Sequence, residues 1–304
     1  MPAAPHAVMI APGTCRSYTC VQVFGGLGNQ MFQYAAGYAQ SHRLGTQLLV
    51  DPVESERLAH ASYGLGAFDL DVGLWSPDPT AGGGWQRLFR RPKAKRRFES
   101  WPGAVYRHAG QAYDPAIAAV GPGTYLAGYF QSERFFTDVA DDIRAAFSLA
   151  HRAADFDQAA IAGLASVPHV AVHIRRGDYA SDPRTTATHG LVGPEYYERA
   201  RLLMQRLVPG VRFLVFSDDL AAAADLTAHW PDRHLSPGQS REEDLHLMTL
   251  CRHHIIANST FSWWGAWLAN APDKTVIAPR RWFARARMLE TFTDDVCPDG
   301  WILV

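Results

Sequence analysis

From Val167 onward, short runs of aliphatic and β-branched residues alternate with stretches of helical spacing. HVAVHI is followed by PEYYERARLLMQRLV, VRFLVF by REEDLHLMTLCRH and HIIA by SWWGAWLAN, and the series closes on TVIAP. Few folds accept that rhythm. Strands joined through helices of this length run parallel, and a sheet of such apolar strands must be covered on both faces. The second half is therefore expected to be a doubly wound α/β domain over residues 156–304. The first half opens in the same way. CVQVF reads as a strand (Thr19–Phe24), GGLGN as a turn, residues 30–42 as a helix, Gly45 as its stop and TQLLV as the next strand. A second Rossmann-like unit is expected over residues 1–155, with residues 1–17 flexible. Within it, GTYLAGYFQSERFFTDVADDIRAAF predicts a strand and then a helix from near Ser132, and HRAADFDQAAIAGLAS predicts a helix leading into the second domain.

Composition narrows the class. The 304 residues are 47% apolar and 19% charged with a formal net charge of −1, which suits a soluble globular protein. Nothing in that balance calls for nucleic acid or an anionic membrane as partner. Cys15, Cys20, Cys251 and Cys297 match no zinc spacing; reduced thiols in a cytoplasm are expected, with a Cys15–Cys20 bridge left open. The start, MPAAPHAVMIAPGT, makes a poor signal peptide. No window approaches 18 uninterrupted apolar residues, so at most peripheral membrane contact is expected. The basic run from Arg87 to Arg97 reads either as a solvated face or as a surface for an acidic ligand.

In open parallel sheets, ligands bind beyond the carboxyl ends of the strands. Those ends carry His173, Arg175, Arg176 and Asp178 after the first strand of the second half, Ser217 and Asp218 after the next, and Asn258, Ser259, Thr260 and Ser262 after the third. Arginine forks suit phosphate oxygens, and a helix that starts just after hydroxyl residues suits an anion. Asp218 suits a base edge or ribose hydroxyls. The set reads as a nucleoside diphosphate site held by protein groups without a metal. Each piece also has a structural reading: an Arg175–Asp178 ion pair, helix capping at Asn258, and core packing for Trp263, Trp264 and Trp267.

The opening turn looks like a dinucleotide fingerprint, with Gly26 and Gly28 in place and Asp51 where a ribose-binding acid would fall. The third small residue is replaced by Met31, and Asn29 and Gln30 crowd the turn with side chains. Amides suit neutral hydroxyls better than phosphate. Gly26, Gly28, Asn29 and Gln30 are thus expected to line a sugar or sugar-nucleotide cleft.

GGLGNQMFQYAAGYA, VAVHIRRGDY, FSDD and NSTFSWWGAWLA, in that order, closely resemble bacterial α-1,2-fucosyltransferases of the glycosyltransferase family 11 type. The His-x-Arg-Arg-x-Asp stretch is shared more widely among fucosyltransferases. The resemblance implies a GT-B fold, two Rossmann-like domains facing across a cleft, with the acceptor side N-terminal and the donor side C-terminal. It implies inverting, metal-independent transfer of L-fucose from GDP-L-fucose to the 2-hydroxyl of a terminal β-galactoside, with no cofactor. Arg175 is the residue it assigns to the departing phosphate, with Asp178 and Asn29 beside the reaction and His173, Arg176, Ser217, Asp218 and Asn258 through Ser262, Phe261 included, around the donor. Asp178, His173 and Glu195 remain unranked as general base. Asp69-Leu-Asp71 is a formal D-x-D, far in sequence from the donor set. Rival readings are a fucosyltransferase of another linkage, a non-catalytic sugar-nucleotide-binding module, and a nicotinamide oxidoreductase built on the opening turn.

Overall fold

The computed structural model describes residues 7–8, 14–52, 63–75, 98–110, 112–164, 167–176, 190–237, 239–284 and 295–304. The chain divides into two units, Met1–Ala146 and Phe147–Val304. The division falls ahead of the expected boundary at 155/156, because Phe147 packs its ring edge-on against Trp264, 5.1 Å away in the second unit.

The first unit holds β1 (Ala7–Val8), β2 (Tyr18–Gln22), α1 (Leu27–Leu44), β3 (Gln47–Asp51), β4 (Gly73–Trp75), β5 (Val105–Arg107), β6 (Tyr125–Ala127) and α2 (Ala140–Ala146). Its sheet runs β1-β4-β3-β2-β6-β5 with every pairing parallel. The chain lays strands outward from β2 on one side and then returns to the other, so the order reverses between β2 and β6. Within the stretch expected to be flexible, Ala7–Val8 pairs with β4 and Cys15–Ser17 forms a 3-10 turn. Cys15 and Cys20 are both thiols.

The helix α1 begins at Leu27, earlier than the sequence spacing indicated, and ends where expected. Gly45 takes the left-handed conformation at φ 62° and returns its N–H to the carbonyls of Ser41 and His42. Close approach to the sheet comes from Gly37. A Cβ there would lie 2.7 Å from Val21 Cγ1 and 3.0 Å from Leu48 Cδ1. The close-packing glycine of this unit therefore sits further along the helix than the dinucleotide fingerprint would put it, and Met31 is core.

Two expected helices are shorter than the sequence suggested. Ser132 accepts from the N–H of Arg134 in a local turn, and 3-10 turns at Glu133–Phe135 and Thr137–Val139 precede α2. Likewise Ala150–Asp155 is 3-10, Phe156 is extended, and Asp157 then accepts from Ala159 and Ala160 to start α3 (Gln158–Leu164). In both places a short polar side chain satisfies nearby N–H groups and competes with continuous helix.

The second unit continues with β7 (His169–Ile174), α4 (Pro194–Leu207), β8 (Arg212–Ser217), α5 (Leu220–Leu226), β9 (Arg233–Leu235), α6 (Arg241–Leu250), β10 (His253–Ile255), α7 (Thr260–Leu268), β11 (Val276–Ala278) and β12 (Ile302–Leu303). The parallel sheet runs β12-β11-β10-β7-β8-β9. Counted from β7 as first, this is the doubly wound 3-2-1-4-5-6 order, whose switch point lies between β7 and β10. Both faces are covered. Val170, Val172 and Ile174 pack with Tyr196, Tyr197, Ala200 and Met204 of α4, while Ala171, Leu214 and Phe216 pack with Leu247 and Met248 of α6. Among the described residues no helix is long and apolar enough to cross a membrane.

One core residue sets an acid limit. His254 is 1% exposed, and its Nε2 lies 3.0 Å from the Met248 carbonyl, which it faces as donor. Burial, with smaller contributions from Lys274 and His253, pushes its pKa down to about 3. An unfolded chain binds that proton near pH 6.5, at the ordinary histidine value. Between those values the unfolded state holds more protons, so this stabilisation is complete above about pH 6.5 and is lost as pH falls toward 3. Asp244, pushed up to about 6 by burial, acts in the opposite sense from its ordinary 3.8 upward. His169, His173, His246 and His253 are all lowered by burial and reinforce His254. The thermal midpoint is expected to drop on going from pH 7 to pH 5, and His254→Gln to show a shallower drop. An equally steep drop in the variant would place the acid sensitivity elsewhere.

Candidate functional site

The residues beyond β7, β8 and β10 converge around the switch point of the second sheet. Arg175 Nη1 lies 2.9 Å from Asp218 Oδ2, and the N–H of Arg176 donates to Asp218 Oδ1 at 2.9 Å. Asp218 thus holds both the arginine side chain and the turn that follows β7. Ser217 staples the same two strand ends, donating its hydroxyl to the Ile174 carbonyl at 2.7 Å and accepting from the N–H of Asp219. The arginine and aspartate side chains are 29% and 24% exposed, so water screens the pair and its worth lies in orienting the guanidinium. Sequence reasoning placed Asp218 on a base or ribose and weighed Asp178 as the ionic partner of Arg175. The structure pairs Arg175 with Asp218, and Asp178 lies outside the described residues.

His173 is buried at the end of β7, its ring 5.8 Å from Phe261. Burial and the adjacent Arg175 hold its imidazole neutral, well below the usual histidine range, against a smaller upward pull from Asp218. Its Nδ1 has no hydrogen-bond partner among the described residues. A neutral ring with a low pKa is a weak base, which argues against His173 as the group that accepts a proton. Glu195 is exposed in the first turn of α4.

The helix α7 brings its N-terminus to the same edge. Ser259 occupies the N-cap with extended backbone, and its hydroxyl makes no cap bond. The first intrahelical bond runs from Trp263 N–H to the Ser259 carbonyl, so the N–H groups of Thr260, Phe261 and Ser262 have no acceptor within the helix. Ser262 is buried and donates to the Ser259 carbonyl at 3.2 Å. Asn258 is not the cap. Its Nδ2 donates to the carbonyls of Trp282, at 3.2 Å, and Gly190, at 3.4 Å, pinning flanking chain. Trp263, Trp264 and Trp267 are core as expected, and Trp263 Nε1 donates to the Val296 carbonyl at 2.6 Å.

Support from α4 was not foreseen. Tyr196 donates its hydroxyl to the carbonyl of Ile256 at 2.7 Å, with that of Ile277 at 3.2 Å, and Tyr197 donates to the carbonyl of His173 at 3.2 Å. Both rings are buried, and together they fix the ends of β7, β10 and β11 from below. The signal was a paired tyrosine opening an amphipathic helix. A tyrosine hydroxyl taken into a core must find an acceptor, and strand-end carbonyls are the ones in reach.

In the first unit the predicted turn residues separate into two kinds. Gly25 is held at φ +75°, and a Cβ there would come within 2.9 Å of Asn29 Nδ2, so this position requires glycine. Gly26 caps α1 at φ −68° with open space around it and carries no such demand; Gly28 is buried in the first turn of the helix. Gln30 is fully buried, donating to the Gly25 carbonyl and accepting from the N–H of Gly64 at 2.9 Å, so its amide serves the scaffold. Asn29 is half-buried. Asp51 is buried, its Oδ2 accepting from the Tyr125 hydroxyl at 2.7 Å, so no ribose is offered to it. Asp69 and Asp71 are exposed in this unit, outside the unit that holds Arg175 and α7. Among the described residues no group of His, Cys, Asp and Glu is arranged to hold a metal ion. The basic run of residues 87–97 lies outside the described residues.

Chemically, the second-unit set offers one oriented guanidinium, a neutral imidazole, hydroxyls and the unfilled N–H groups of a helix start. That combination receives an anion. The sequence profile of Glycosyl transferase family 11 matches residues 4–304. An alpha-1,2-colitosyltransferase of Escherichia coli is 33% identical over 299 residues, spanning 95% of this chain and 99% of its own. The mouse galactoside alpha-(1,2)-fucosyltransferase 1 is 28% identical over 81% of this chain and 62% of its own. Among solved structures, the fucosyltransferase NodZ from Bradyrhizobium aligns with a TM-score of 0.48 at 14% identity, over 82% of this chain and 92% of that one.

Proposed function

The chain belongs to glycosyltransferase family 11, and on that premise we propose that it transfers L-fucose from GDP-L-fucose to the 2-hydroxyl of a terminal β-galactoside, with inversion and without a metal. The observation that carries this reading is the anion-receiving set at the switch point of the second sheet, where Arg175 is braced by Asp218 beside the start of α7. The mouse relative's name supports the galactoside and the linkage. The wider sugar-nucleotide reading is supported by the guanidinium and helix-start N–H donors gathered at one edge, which suit phosphate oxygens.

In the proposed displacement, the bond between the anomeric carbon and the β-phosphate oxygen breaks with its electrons leaving on GDP. The bond from the acceptor 2-hydroxyl oxygen forms on the opposite face, and the hydroxyl proton departs to a base or to solvent. Charge grows on the β-phosphate. Arg175, the N–H groups of α7 and the Ser259 hydroxyl would meet it, a preorganised arrangement that carries no reorganisation cost at the moment of reaction. With His173 disfavoured as base, the proton acceptor would be Asp178, Glu195 or water, and a transition state in which the donor bond is largely broken makes a weak base sufficient.

A second reading is favoured by the 33% identical relative, named as a colitosyltransferase. Colitose is the 3-deoxy counterpart of fucose, so the same site would serve a donor lacking one hydroxyl. Purified protein incubated with lactose and either GDP-fucose or GDP-colitose in excess EDTA decides between them. Faster GDP release from GDP-fucose, with NMR showing a fucose linked to the galactose 2-position, is the expected result. Preference for GDP-colitose would move the donor to the second reading, and dependence on added divalent metal would overturn metal independence.

A further inference from the structure

At the carboxyl edge of the first sheet, beside the reversal between β2 and β6, sits a polar pair of which the sequence announced only Asn29. Gln131, four residues past the end of β6, is 5% exposed, and its Nε2 donates to Asn29 Oδ1 at 2.8 Å. Its Oε1 is buried with no partner among the described residues. A buried amide oxygen left unpaired is destabilising unless something fills it. Asn29 lies half-buried in the first turn of α1 and accepts through Oδ1, so its Nδ2 carries the donors of the pair.

The pair presents one donor and one acceptor. Exchanging oxygen and nitrogen on both amides leaves the same combination, so the recognition does not depend on which amide carries which role. The ionised oxygens of a phosphate only accept, and would meet the glutamine oxygen unfavourably. A hydroxyl both donates and accepts, and fills the two together. Beside the pair, Phe24 and Tyr129 meet edge to face at 4.9 Å, and Tyr129 is 38% exposed, an apolar surface of the kind that receives the C–H face of a pyranose. The platform is rigid. Gln33 accepts from the N–H of Phe24 at 2.8 Å and Gln30 donates to the Gly25 carbonyl at 2.8 Å, so two glutamines of α1 clamp the turn that carries Phe24.

We infer that Gln131 and Asn29 together bind one hydroxyl of the acceptor's neutral sugar, with Phe24 and Tyr129 against its ring, so that Gln131 and Tyr129 set acceptor choice. This deepens the glycosyl-transfer reading and rests on it for the word acceptor. The test is direct binding of methyl β-galactoside in the presence of GDP, read by saturation-transfer NMR, on wild type, Gln131→Met and Tyr129→Ala, with GDP affinity measured separately by calorimetry. Sugar affinity should fall about three- to tenfold in each variant, the range for one hydrogen bond or one ring contact. GDP affinity should not move in either variant, and Tyr129→Ala, which loses its edge contact with Phe24, should melt only modestly lower than wild type. Deoxy-galactosides locate the hydroxyl: the deletion that weakens wild type should have no further effect in Gln131→Met. Unchanged sugar affinity in both variants, a deoxy penalty that persists in Gln131→Met, or no sugar contact in wild type would overturn the inference. Sugar binding in a wild type that turns over neither donor would leave the inference standing and fail the glycosyl-transfer reading instead.

Discussion

Arg175→Ala is expected to slow sugar transfer by about 10²–10³-fold or more, the cost of removing a preorganised donor from developing charge. The effect belongs in kcat, because a guanidinium aimed at a departing phosphate contributes most when the bond is breaking. Arg175→Lys separates charge from shape. Lysine keeps the cation and loses the planar fork that holds Asp218 and, in the proposed reaction, would meet the phosphate, so it should recover only part of the rate. The measurement is GDP release under saturating donor, with the thermal midpoint recorded for each variant. The Arg175–Asp218 pair is screened, so its loss alone should change folding stability little. If Arg175→Ala kept a third or more of the wild-type rate, Arg175 would at most hold the nucleotide and its catalytic assignment would fail.

Trp263→Ala should be the most damaging single change to the fold of the second unit. The ring is fully buried, stands 5.0 Å from Trp264, 6.0 Å from Trp267 and 5.6 Å from Trp301, and donates to the Val296 carbonyl. Truncating a buried aromatic to alanine costs about 3–5 kcal/mol. Against a typical total of roughly 5–15 kcal/mol, that is a large share. The carbonyl of Val296 would also be left without its donor. Trp263→Phe keeps most of the packing and loses the N–H, so an intermediate loss is expected from it. Since Trp263 lies one turn into α7, GDP affinity should fall along with stability. Urea unfolding of both variants checks the first claim and calorimetry with GDP the second. A loss below about 1 kcal/mol for the alanine variant would mean that the tryptophan cluster repacks without cost, far outside the usual range.

Much of the second half could be read from its letters because its central strands are apolar on both faces and its longer helices are amphipathic. HVAVHI was placed to the residue, and the polar groups beyond it were expected at a binding edge, where the structure brings His173, Arg175, Arg176 and Asp218 together. Their partners were harder. Asp218 follows β8 and serves the turn after β7, a relation set by the pairing of Ile174 with Ser217 across two strands. Asn258 looked like a cap and instead holds Trp282 and Gly190, because a buried amide takes whatever carbonyls the fold delivers. The short elements β9, β12 and α5 have too few residues for periodicity to show. Gly37 was invisible as a packing residue, since only the approach of Val21 and Leu48 reveals why a side chain is missing there. Gln131 and Gln30 show the same limit from the other side. Two amides of similar sequence setting differ in use because Gly25 and Gly64 present backbone to one, while the other finds only Asn29.

The strand order of the second sheet also bears on how the protein comes off the ribosome. Its earliest strand, β7, ends up in the middle, flanked by β8 on one side and by β10 on the other. During synthesis the β8 flank can close as soon as α4 has crossed over, whereas the other flank waits until His253–Ile255 has emerged. Until then, a strand of six buried residues shows an open edge. Parallel pairings of this span form slowly, and open apolar edges attract other chains. Soluble yield in a heterologous host should therefore follow translation rate, temperature and chaperone supply more closely than it follows the melting point of the finished protein.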